Sequence, residues 1–134
     1  MDNRLFDAGR LVLRVGVAGL LLMHGIAKIR NGIGFVQDQV EQVGFPEFVA
    51  YGVYAGEILA PILVIAGVMA RPAALVMAFS MAFAILLARR HDITTVGRGG
   101  GLAIELELLF LIGAVSIALL GAGRYAVQRG SRWT

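Results

Sequence analysis

No cysteine occurs among the 134 residues, so disulfide exchange, thiolate metal sites and iron–sulfur ligation lie outside the repertoire of the chain's own side chains. Charge is scarce as well: Asp, Glu, Lys and Arg make up 16% of the sequence, against 58% hydrophobic residues and a mean hydropathy of +0.79. That balance excludes an ordinary water-soluble domain of this length. Strict alternation of apolar and polar residues is missing, which argues against a barrel. Backbone polar groups in lipid must bond one another, so the apolar runs are expected to be helices. The net charge of +3 and pI near 10.0 do not indicate a nucleic-acid partner. The arginines sit at the ends of apolar runs, where they anchor to lipid headgroups, and no basic stripe with interleaved aromatics is present.

What remains is four apolar blocks, at residues 11–29, 48–70, 72–88 and 102–121. Each is close to the ~20 residues that cross a hydrocarbon core of ~30 Å. The expected fold class is all-α: an integral membrane four-helix bundle, one domain over residues 1–134, in contact with the lipid bilayer. A cleaved signal peptide is the rival reading of the first block. Its length, its internal His24 and Lys28, and the lack of an A-x-A site weigh against that.

The connections are mostly short. In "GFVQDQVEQVGFP", Val36, Val40 and Val43 recur at helical spacing opposite Asp38, Gln39, Glu41 and Gln42. Gly44 and Pro46 then supply a stop, so an interfacial amphipathic helix is expected between the first and second spans. Pro72 follows the second block almost at once, which makes the second and third spans a tight antiparallel hairpin. The third connection, "RRHDITTVGRGGG", has no Walker pattern and no preceding strand, so it reads as a flexible loop and not a phosphate cradle. An even number of crossings places both termini on one side. That side carries Arg4, Arg10, Arg14, Arg71, Arg124, Arg129 and Arg132, against Lys28, Arg30, Arg89, Arg90 and Arg98 on the other. The bias points to cytoplasmic termini in a plasma (inner) membrane.

Charges inside the apolar blocks are the candidates for function. Alternating helix direction brings the end of the first span (His24, Lys28), the upper part of the second (Glu57) and the start of the fourth (Glu105, Glu107) into the same half of the bilayer. Arg89, Arg90 and His91 close the third span there too. An ionised carboxylate at mid-membrane costs on the order of 2.5–3.5 kcal/mol on insertion scales. Glu57 is too deep and too short to snorkel, so it is expected to be neutral or paired, with Lys28 or His24 as partner. His24 and Lys28 are four residues apart and share a face. Pro61 cannot donate to the carbonyl of Glu57, which frees a second acceptor at that level. Gly52 and Gly56 form a small-xxx-small pair suited to close helix approach. Glu105 lies eleven residues before Ser116, nearly on one face with it, so Glu105 is expected to face the pocket; Glu107 points almost oppositely and is left open.

Blander roles stand beside these. Lys28 and Arg14 lie within reach of an interface and could simply snorkel. A lone His24 could be a core histidine, and Glu105 and Glu107 could merely complement a helix dipole. Met23, Met69, Met77 and Met81 read as packing or lipid-facing residues. His24 and His91 could in principle bracket a haem, but no c-type attachment motif accompanies them.

The series "HGIAK", Gly34-Phe35, "GFP" at 44–46, "GEIL" at 56–59, "GVMARPAAL" at 67–75 and "GAGRY" at 121–125 resembles the DoxX family of small four-helix membrane proteins, over nearly the whole chain. The pattern departs at the end, where Ala122 stands in a place often taken by proline and "AVQ" replaces a usual Ser-x-Asp. The resemblance implies that His24, Lys28, Glu57 and Glu105 occupy polar positions characteristic of the family. It also implies a redox-associated membrane subunit, because relatives are associated with thiosulfate:quinone oxidoreduction and sulfur or oxidative-stress handling. The function expected is binding of a quinone or similar small apolar molecule in a polar intramembrane pocket. His24, Lys28 and Glu57 would serve as the chemically active groups, and His24, Glu57 and Glu105 as ligand contacts. With no cysteine and no flavin or nucleotide motif, electrons would have to come from a partner redox subunit, so the chain is expected to be an accessory subunit at most. The alternative is a non-catalytic assembly or scaffold protein, with homo-oligomers through its glycine faces; a small transporter is a third reading. No metal site is expected.

Overall fold

The computed structural model describes residues 3–134. It is a helical membrane bundle with no strand among those residues. Helix α1 runs Asn3–Asn31 and the short α2 runs Gly34–Gln42. Helix α3 covers Glu47–Ala66, α4 covers Ala70–Ala88 and α5 covers Glu105–Leu120. Of these, α1, α3 and α4, at 29, 20 and 19 residues, are long and apolar enough to cross a membrane. The expected fourth span is shorter than its apolar block. Its 16 residues rise about 24 Å, because residues 102–104 belong to the preceding turn. The long helices pack in a closed ring, α1 against α3 and α5, and α4 against the same two. The core between them is built largely from small residues, among them Ala18, Ala60, Ala74 and Ala114, with Leu21, Met77, Met81 and Ile117 filling the gaps.

The glycine-rich connection is not an irregular loop. Gly97 donates to the carbonyl of Gly101 at 2.7 Å and Ala103 to that of Thr95 at 2.9 Å, closing a small hairpin-like turn. The expected amphipathic helix is α2. Instead of resting on lipid alone, α2 lays Val40 and Val36 against Ala50, Val49, Val53 and Leu87 of α3 and α4, roofing that end of the bundle.

The opposite end is closed by residues 121–134, held by two arginines. Arg14 is not a snorkelling residue. It is 2% exposed, and it donates to the carbonyls of Ala122 at 2.7 Å and Tyr125 at 2.5 Å. Arg71 donates to Ala118 and Leu119 at 3.0 and 3.1 Å, where the last turn of α5 leaves carbonyls without helical partners. Between α3 and α4 the chain reverses through Gly67, whose φ of +73° an L side chain resists, and through Met69, also left-handed at +46°. A Cβ at Gly67 would lie 2.5 Å from that of Ala126. Gln128 accepts the Met69 N–H at 2.8 Å and so ties residues 121–134 to this turn.

Arg14→Met should therefore strand two carbonyls, at about 1–3 kcal/mol each. The expected result is faster tryptic cleavage at Arg124 and Arg129 with unchanged helical circular dichroism.

Candidate functional site

The end of the bundle under α2 holds a cavity of about 610 Å³. Its polar wall begins with Glu57, which lies in a wide turn of α3. The chain there tightens through Glu47–Tyr51 and then widens over Ala55–Leu59, so that the N–H of Ala60 bonds the carbonyl of Ala55, five residues back. Pro61 follows and leaves the carbonyl of Glu57 without its helical donor, as its position requires. Such wide turns re-aim side chains and recur at functional sites. Here the turn directs the Glu57 carboxylate, 3% exposed, at Lys28 of α1.

Lys28 Nζ contacts both carboxylate oxygens, at 2.6 and 2.7 Å, so the ion pair expected between spans is present and two-pronged. Gly25, one turn earlier on α1, makes it geometrically possible. A Cβ there would overlap the Glu57 carbonyl oxygen and sit 2.7 Å from Ile58 Cγ1. Glycine lets α1 ride directly on the wide turn, bringing a four-carbon lysine stem within reach. Gly56 similarly abuts Ser80 of α4, whereas Gly52 faces open space, so only half of the expected small-residue pair packs. Lys28 is 32% exposed, and the pair faces the cavity on that side.

His24 lines the same cavity, its ring set edge-on to Phe110 of α5 at 5.5 Å, and no hydrogen bond is recorded for it among the described residues. Glu105, expected to face inward, does not. It lies exposed in the first turn of α5 with its carboxylate folded over Gly101. The face it shares with Ser116 is an outward groove between α1 and α5, and Ser116 satisfies its hydroxyl on the Ile112 carbonyl at 2.8 Å, needing no polar pocket. Glu107 lines the cavity instead, 3.4 Å from Arg89 Nε, with its Oε2 buried and unpartnered. His91 bonds Arg90 in the loop after α4 and does not line the cavity with His24, so the two do not bracket a haem. Phe35, Phe79, Phe83 and Val53 supply much of the apolar lining. The site thus offers an oily chamber with ionic groups in its wall, suited to an apolar ring that carries polar atoms.

Removing one partner of a buried ion pair leaves an uncompensated charge. Lys28→Met should cost about 3 kcal/mol, at the low end for such pairs because Lys28 is partly exposed. Lys28→Met combined with Glu57→Leu should recover much of that loss. Denaturation in mild detergent followed by circular dichroism measures both.

Comparison with known proteins agrees with this architecture. A 120-residue stretch is 28% identical to the Bacillus subtilis (strain 168) protein named "Putative oxidoreductase CatD", covering 90% of this chain and 84% of that one. No solved structure matches. The DoxX family model matches residues 9–90. Since that match takes in most of α1, all of α2 to α4 and both halves of the buried ion pair, the chain belongs to the DoxX family.

Proposed function

We propose that this protein is a membrane subunit that binds a quinone, or a similar small apolar ring, in the cavity beneath α2 and serves a redox partner. The observation that carries the reading is the coincidence of a cavity of about 610 Å³ with a two-pronged ion pair in its largely apolar wall. Volumes of roughly 300–1,000 Å³ are typical of small-molecule sites. His24, Lys28 and Glu57 form the polar wall. His24 can donate or accept a hydrogen bond, and Lys28 favours an oxygen that carries negative charge. No cysteine is present to pass electrons, so reduction of a bound quinone requires two electrons from a partner subunit and two protons. The name of the B. subtilis relative supports a redox association. The termini lie on the cytoplasmic face of the plasma membrane, where the larger share of arginines gathers.

A scaffold role is the second reading. It is favoured by the groove between α1 and α5, where Gly16 has open space beside it and a second copy could seat.

Extraction in mild detergent with mass spectrometry of bound small molecules should recover a quinone. A decyl-substituted benzoquinone should then bind the purified protein in nanodiscs. Ala84→Trp, which fills the cavity without touching the ion pairs, should abolish that binding while leaving the melting temperature within a few degrees. Binding unchanged by the filled cavity would favour the scaffold.

A further inference from the structure

Two ion pairs line the cavity, and they differ in how fully they are used. Lys28 and Glu57 are in short contact through both oxygens, at 2.6 and 2.7 Å. Arg89 is spread between two distant carboxylates, Glu107 at 3.4 Å and Asp92 at 3.5 Å. Both exceed the ~2.7–2.9 Å of a formed charge-assisted hydrogen bond. The Arg89 side chain is 42% exposed, and Glu107 keeps one oxygen without a partner. The first pair is closed, whereas the second retains unused hydrogen-bonding capacity at the cavity wall.

Their placement is fixed by α5. Glu107 and Phe110 are three residues apart and so lie on one face, and Phe110 touches the ring of His24. Glu107 therefore stands about one helical turn, ~5.4 Å, from the level of His24. Because α5 runs antiparallel to α1, that turn leads back toward the level of Lys28, so the Lys28–Glu57 and Glu107–Arg89 pairs line the chamber near the same end, Lys28 and Arg89 being on the diagonally opposed α1 and α4. A flat ring with an oxygen at each end can bridge two polar walls that face one chamber from different helices.

We infer that Arg89 is a second ligand-binding residue of the cavity, donating to the oxygen of a quinone-class ring that lies opposite the one held at the His24, Lys28 and Glu57 wall, with Glu107 as the positioning residue that holds the guanidinium there. This rests on the quinone reading above and adds to it a recognition rule. The ligand carries two oxygens across a ring, and an apolar ring with a single oxygen uses half of the site. The planar five-donor guanidinium suits the task, because it can keep its contact with Glu107 and still donate to the ligand.

The test pairs a residue change with a ligand change. Decyl-benzoquinone and a decyl-substituted phenol, which has one oxygen, are titrated into the protein in nanodiscs. Arg89→Gln should weaken the benzoquinone about tenfold or more, the worth of a hydrogen bond to a charged group. It should leave the phenol unchanged, so that the preference for two oxygens disappears. Glu107→Gln should weaken the benzoquinone less, and Arg98→Gln, a loop cation outside the cavity, should change neither. Melting curves run alongside, and should Arg89→Gln fail to fold, Arg89→Lys serves instead, keeping charge but losing the fork. Equal weakening of both probes, or of neither, overturns the second contact while the quinone reading stands. Wild-type protein that binds neither probe overturns the quinone reading and this inference with it.

Discussion

A carboxylate 3% exposed inside a lipid-embedded bundle must be neutral or meet a cation, and the meeting of Glu57 with Lys28 organises this protein. Lysine reaches that far only because α1 sits almost on the backbone of α3. That approach in turn requires Gly25 on one helix and the wide turn over Ala55–Leu59 on the other. Charge, glycine and proline thus form one unit spread over two helices. Whether the pair adds net stability is secondary, since buried ion pairs often do little better than apolar replacements. What it does provide is register, by fixing the height at which α1 and α3 cross.

The cavity follows from the same geometry. With α1 and α3 drawn together near Glu57 and α4 packed on Gly56, space opens toward the start of α5, where Phe110 and His24 meet edge-on. Helix α2 covers it by burying its valine face on α3 and α4, and so becomes part of the chamber wall. The groups that could act on a ligand are collected at one depth by four different segments, an arrangement that depends on helix direction more than on any local motif.

Much of this was legible in the sequence. The helical class, the blocks that become α1, α3 and α4, and a partner for Glu57 at Lys28 or His24 all follow from apolar run length, alternation of direction and the cost of a lone carboxylate in oil; the structure selects Lys28. Two readings failed for instructive reasons. Ser116 suggests a polar face on α5, but a hydroxyl that bonds its own helix at Ile112 can face lipid, and Glu105 lies outward with it. Arg14 looked like a snorkelling residue because its partners, the carbonyls of Ala122 and Tyr125, lie more than a hundred positions away and belong to backbone, which leaves no residue-type signature. The turn at residues 96–102 was likewise hidden, since glycine runs specify permissive backbone and not a shape.

The clasp formed by Arg14 has a consequence for how the molecule is made. Its acceptors follow the guanidinium by more than a hundred positions, so α1 is made well before the backbone that Arg14 binds. Until residues 122–125 arrive, this arginine must keep its donors in headgroup water. A vertical settling of the first helix is therefore expected once residues 122–125 close over it, a latch thrown from far along the sequence.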